Sequence, residues 1–125
     1  MIKARELMQK HFVGVSKTTT IASALKLLES AKIDLMPVLD GNRLCGIVTG
    51  ADLRAGANYT GRVSRVMEKP AFVCADSEID SVMRVMVRHG AGRLPVVQDR
   101  LTMLCIGVIS STDIVKSEKK RQQLS

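Results

Sequence analysis

A mixed α/β fold is predicted for this 125-residue chain, built as two β-α-β-β-α units packed sheet against sheet about a pseudo-twofold axis. Three observations predict it. The chain repeats itself at an offset of about sixty residues. Each copy carries one run of helically spaced apolar residues between short runs rich in branched aliphatics. Asp40-Gly41-Asn42 is a hairpin signal between two of those runs.

The elements follow in order. Leu7-Met8-Gln9-Lys10 matches Val66-Met67-Glu68-Lys69, and the stretch from Val15 to Ile21 matches that from Val73 to Ile79. A short strand is expected over Val13 to Val15, and another over Phe72 to Cys74. Ile21, Ala24, Leu25 and Leu28 then have the spacing of an amphipathic helix, as do Ile79, Val82, Met83, Met86 and Val87. Thr20, and Ser77 or Glu78, are the helix starts. Second strands are expected over Met36 to Leu39 and Leu94 to Val97, around the matched Met36-Pro37-Val38 and Leu94-Pro95-Val96. Third strands follow over Leu44 to Val48 and Met103 to Ile109, the latter after a longer connection from Gln98 to Thr102. A last helix opens at Thr49 or Ser110. The helical crossover makes the first two strands of each copy parallel, and the hairpin makes the next two antiparallel.

Ala55-Gly56-Ala57-Asn58 reads as the linker. Residues 1–61 are therefore expected to hold the first motif with its linker, 62–117 the second, and 118–125 a basic C-terminal tail carrying Lys119, Lys120 and Arg121. One copy is marginal alone, so the two are expected to pack together.

Composition narrows the function. Hydrophobic residues make up 46%, but Phe12, Tyr59 and Phe72 are the sole aromatics, so the core must be aliphatic. A net charge of +7 favours anionic partners such as nucleotides, nucleic acid or acidic lipid. Cys45, Cys74 and Cys105 are isolated in apolar runs, without metal-ligand spacing; they read as small core residues in a reducing compartment, and no metal site is expected. No stretch reaches the ~20 apolar residues of a membrane span and no signal peptide opens the chain, so a cytoplasmic protein is expected.

The chemistry concentrates in Gly-φ-φ-[Ser/Thr]-x-x-Asp, where φ is a branched aliphatic. It occurs as Gly46 to Asp52 and again as Gly107 to Asp113. Thr49 with Asp52, and Ser110 with Asp113, set a hydroxyl at a helix start and a carboxylate three residues on. One reading is a capping box that needs no ligand. The other is a sugar-phosphate seat: the helix N-terminus and hydroxyl for phosphate, the carboxylate for ribose hydroxyls. The two can coexist.

The ordered series of φ-x-x-Met, Val-x-x-x-x-x-Ile, φ-Pro-Val and Gly-φ-φ-[Ser/Thr]-x-x-Asp-φ, present twice between about residues 3 and 117, resembles two tandem CBS motifs, a Bateman module. The resemblance implies a non-catalytic regulatory module that binds AMP, ADP, ATP or S-adenosylmethionine in clefts between the copies. It implies ribose on Asp52 and Asp113, phosphate on Thr49 and Ser110, and adenine against Leu35, Met36 and Pro37 or Arg93, Leu94 and Pro95. It also implies a homodimer, and no required cofactor beyond the regulatory ligand. Family members commonly control a fused effector; no such domain is seen here, so a separate, unknown regulated protein is expected. The copies are unequal: His89-Gly90-Ala91-Gly92-Arg93 is open and cationic where Lys32-Ile33-Asp34-Leu35 is bulkier and acidic. Arg93 is either a phosphate partner or a solvated surface residue, and His89 an exposed helix end.

Three other classes compete. An enzyme is disfavoured by the absence of nucleophile-elbow, Walker, HExxH and metal-cluster patterns. Nucleic-acid binding suits the charge, but three aromatics give no stacking platform. A dimerisation module without ligand is countered by both hydroxyl–carboxylate pairs.

Overall fold

The computed structural model describes residues 1–57 and 60–124. Asn58, the last residue of the expected linker, lies outside them. The described chain forms two compact units, one of residues 13–70 and one of residues 1–12 with 71–125. Each holds a three-stranded mixed sheet and its helices, as the repeat predicts. No described helix is long and apolar enough to cross a membrane.

In the unit of residues 13–70, β1 (Val15–Ser16) pairs in parallel with β2 (Leu35–Asp40), which pairs antiparallel with β3 (Arg43–Thr49). Gly41 takes φ 63° between β2 and β3, at the first central position of a two-residue loop, where a tight hairpin favours glycine. Helix α2 (Ile21–Ala31) crosses from β1 to β2. Thr20 caps it, its hydroxyl accepting from the Ser23 amide at 3.2 Å, and Lys32 ends it in the left-handed region. Ile21, Ala24 and Leu28 are buried against Val15, Met36, Val38, Val48 and Leu53, an aliphatic core as composition requires. Helix α3 (Gly50–Ala55) follows β3, and a 3₁₀ turn at Val63–Arg65 leads to Met67 and Glu68.

The unit of residues 1–12 and 71–125 repeats this with β4 (Val73–Cys74), α4 (Ile79–His89), β5 (Arg93–Val97), β6 (Cys105–Ser110) and α5 (Ser111–Leu124). β4 and β5 are parallel; β5 and β6 are antiparallel. A short helix α1 (Ala4–Leu7) precedes them in the chain. Glu78 precedes α4; the Ser77 hydroxyl instead accepts from the Cys74 amide at 3.0 Å, and Gly90 ends α4 at φ 60°.

Some boundaries differ from expectation. Asp99 gathers the connection before β6, taking the Thr102 amide on its carboxylate at 2.7 Å, and Met103 turns to φ 55°. Strand β6 therefore begins at Cys105, not Met103. Of the apolar stripe expected on α4, Val82 and Met86 are buried, but Met83 is 48% and Val87 82% exposed. The segment expected as a basic tail is helical as far as Leu124.

Pro37 and Pro95 stand in central strands, where a missing N–H is normally costly. Their cross-strand partners Ile47 and Val108 bond outward, to Glu68 and Gln9 respectively. Each proline is thus in a non-hydrogen-bonded pair, one residue before the short parallel ladder begins at Val38 or Val96. No strand bond is lost.

Candidate functional site

Strand register builds the site. In the unit of residues 13–70, Thr49 at the end of β3 lies opposite Leu35 at the start of β2. In the other unit, Ser110 at the end of β6 lies opposite Arg93 at the start of β5. Leu35, Pro37 and Pro95 are buried and Arg93 is half-buried, whereas Met36 and Leu94 are wholly inside the aliphatic cores.

The capping box is formed in both copies. The Thr49 amide donates to Asp52 Oδ2 at 3.0 Å, and the Asp52 amide donates to Thr49 Oγ1 at 3.1 Å. The Ser110 amide and hydroxyl both donate to Asp113 Oδ2 at 2.9 Å, and the Asp113 amide returns a bond to Ser110 Oγ at 3.2 Å. The first helical amides are also engaged: Gly50 donates to the Asp34 carbonyl at 3.2 Å, and Ser111 to the Gly92 carbonyl at 2.8 Å. Two of the first three amides of each helix are thereby satisfied within the chain. The carboxyls of Asp52 and Asp113, both half-buried, are the acidic groups at the two helix heads.

Sequence reasoning passed over the partners of those carboxylates. Met67 and Glu68 run beside β3, with Ile47 and Glu68 exchanging backbone bonds at 2.8 and 3.1 Å. The Glu68 carboxyl thereby meets that of Asp52. Its pKa is raised by that hydrogen bond first, then by burial and the Asp52 charge. Met8 and Gln9 run beside β6 in the same way, with Gln9 and Val108 exchanging bonds at 2.8 and 3.0 Å. There the Gln9 amide Nε2 donates to Asp113 Oδ1 at 3.0 Å. The signal was in the repeat itself, since Gln9 and Glu68 hold the same place in it.

An open hollow of about 450 Å³ adjoins Asp52, lined by Ala55, Gly56, Arg65 and Val66. One of about 480 Å³ adjoins Asp113, lined among others by Glu6, Leu7, Gln9, Lys116 and Lys120. Offsets of 59 and 61 residues carry Glu6 onto Arg65, Leu7 onto Val66, Asp52 onto Asp113 and Ala55 onto Lys116. The hollows are the same place in the two copies. Burial pushes all three thiols up, Cys105 to about 11, so none is a ready nucleophile. Among the described residues no three His, Cys, Asp or Glu side chains gather as a metal site.

Two copies of one β-α-β-β-α unit, each closing on a hydroxyl–carboxylate pair, define a tandem-repeat module. The family model for the CBS domain matches residues 4–57 and 63–120, and the chain belongs to that family. It is 35% identical over 123 residues to inosine-5′-monophosphate dehydrogenase of Methanocaldococcus jannaschii, covering 96% of this chain and 24% of the enzyme. It also spans less than half the length of other proteins of that organism that it matches. Among solved structures, CBSX2 in complex with AMP superposes with TM-score 0.85 at 24% identity over 98% of this chain and 99% of that one. The CBS domain pair of protein MJ0100, in complex with 5′-methylthioadenosine and S-adenosyl-L-methionine, gives 0.80 at 22% identity over 96% and 98%. CBS domain pairs are regulatory modules.

Proposed function

We propose that this chain is a non-catalytic sensor which binds an adenosine-type ligand, with Asp52 and Asp113 as its ribose acceptors, and signals occupancy to a separate protein as a homodimer. The observation that carries this reading is the pair of repeat-equivalent hollows, each with a half-buried carboxylate held in place by a capping box. An ionised carboxylate accepts only, and a ribose offers two adjacent hydroxyl donors. The adenosyl ligands of CBSX2 and MJ0100 supply the ligand class.

A thermal-shift screen with AMP, ADP, ATP and S-adenosylmethionine tests it. At a hundredfold excess over Kd, binding adds about 2.7 kcal/mol, which raises the melting temperature of a chain this long by about 10 °C. No movement with any of the four at millimolar concentration would replace this reading with a dimerisation module that takes no ligand. Light scattering should return twice the 13.6 kDa chain mass; a monomer at micromolar concentration contradicts the assembly.

A further inference from the structure

The two hollows share their position but not their charge. Around Asp113 stand Lys116 and Lys120, with Glu6 the other acid. Gln9 turns its side-chain amide onto Asp113, Nε2 donating to Oδ1 at 3.0 Å, so the group beside this carboxyl is a neutral donor. Around Asp52, Arg65 is the cation, Ala55 replaces a lysine, and the acidic Glu68 abuts the carboxylate where its counterpart carries an amide.

We propose that Gln9 and Glu68 decide which charge of ligand each unit accepts: a phosphate-bearing nucleoside at Asp113, and a neutral or cationic nucleoside at Asp52. The inference rests on the adenosyl-sensor reading and deepens it. A phosphate brought to Asp113 meets two lysines, Lys116 and Lys120, set against the carboxyls of Asp113 and Glu6, the first of them already held by the Gln9 amide. Brought to Asp52, it meets one cation, Arg65, and becomes a third acidic group beside Asp52 and the Glu68 carboxyl. The backbone pairing of Glu68 with Ile47 holds that carboxyl at the place Gln9 takes in the other unit. A ribose diol without phosphate suits the second arrangement, because two carboxyls offer acceptors for both hydroxyls. A positive charge on the ligand strengthens that fit.

AMP and adenosine, which differ only by the phosphate, are the probes. Each is titrated by amide NMR into the full chain, reading the Asp113 and Asp52 signals separately. In the unaltered protein AMP should saturate the Asp113 unit at concentrations about tenfold lower than the Asp52 unit, with adenosine showing no such gap. E68Q should strengthen AMP at Asp52 about tenfold and change adenosine less than about twofold. Q9E should weaken AMP at Asp113 by a similar factor, and the double variant should exchange the preferences of the two units. Each single variant leaves the other unit as its folding control. Binding of both probes with an AMP-to-adenosine ratio unmoved by either exchange overturns this inference and leaves the sensor reading standing. Absence of binding by all four proteins overturns both.

Discussion

At the scale of the residue, the same atoms serve capping and ligand chemistry. Asp113 keeps Oδ2 for the backbone and hydroxyl of Ser110 and holds Oδ1 toward the exchangeable Gln9 amide. Replacing Asp113 with Ala should therefore weaken AMP more than the same change at Asp52, by about 1.5–3 kcal/mol, or roughly ten- to a hundredfold. Asp113→Asn, which retains an oxygen for the cap, separates the binding loss from helix fraying. Calorimetry giving equal losses at Asp52 and Asp113, or a larger loss at Asp52, would show the ranking wrong. Glu68 makes a second prediction. Its carboxyl is pushed above the ordinary value, so across that interval the folded chain binds more protons than the unfolded one. Stability from this group is present at acid pH and is lost as pH rises through the folded pKa. E68Q should flatten that fall relative to the parent protein in melts between pH 4 and 7; parallel pH profiles would show that the carboxyls do not share a proton.

At the scale of the element, the glycine opening each Gly-φ-φ motif has a packing role. A Cβ on Gly46 would stand 2.7 Å from Met67 Sδ and 2.9 Å from the Glu68 carbonyl; on Gly107 it would stand 2.7 Å from Met8 Sδ and 3.0 Å from the Gln9 carbonyl. The thioether can swing away, but the carbonyls are fixed by their bonds to Ile47 and Val108. Gly46→Ala and Gly107→Ala should each cost about 1–3 kcal/mol, lowering the melting temperature by roughly 4–12 °C. Unchanged melting would mean that the leading segments are looser than these distances. The strands and helices themselves were legible because apolar period and turn chemistry are local properties. Thr20, Gly41, Gly90 and the two hydroxyl–carboxylate pairs all stand where such rules put them. The partners of Asp52 and Asp113 lay outside local rules: Gln9 reaches Asp113 across 104 residues, and only the matching places of Gln9 and Glu68 in the repeat pointed to them. The open edge of α4 escaped for the opposite reason. A periodic stripe says which residues are apolar, not how much of the stripe its sheet can cover.

At the scale of the whole molecule, the repeat in sequence and the unit in space are cut differently. Residues 1–12 cluster with 71–125, while residues 62–70 cluster with the first repeat. Five backbone bonds fasten the N-terminal segment: Ala4 to Ser77, Arg5 to Ala75, Ile79 to Ile2, and the mutual pair of Gln9 and Val108. At about 0.5–1.5 kcal/mol net apiece, these sum to several kcal/mol. That is comparable with the stability of a small domain. Fully buried Ala4 and half-buried Met8 add apolar area to the same attachment. A chain beginning at residue 13 should consequently lose amide protection first in α4, β5 and β6, some sixty or more residues from the cut, while β2 and β3 keep theirs. Hydrogen exchange read by mass spectrometry distinguishes the two partitions directly. Protection lost chiefly between residues 13 and 61 would mean that the N-terminal segment stabilises the repeat it precedes in sequence. Protection lost between 71 and 110 would show that the second repeat depends on a segment from the opposite end of the chain.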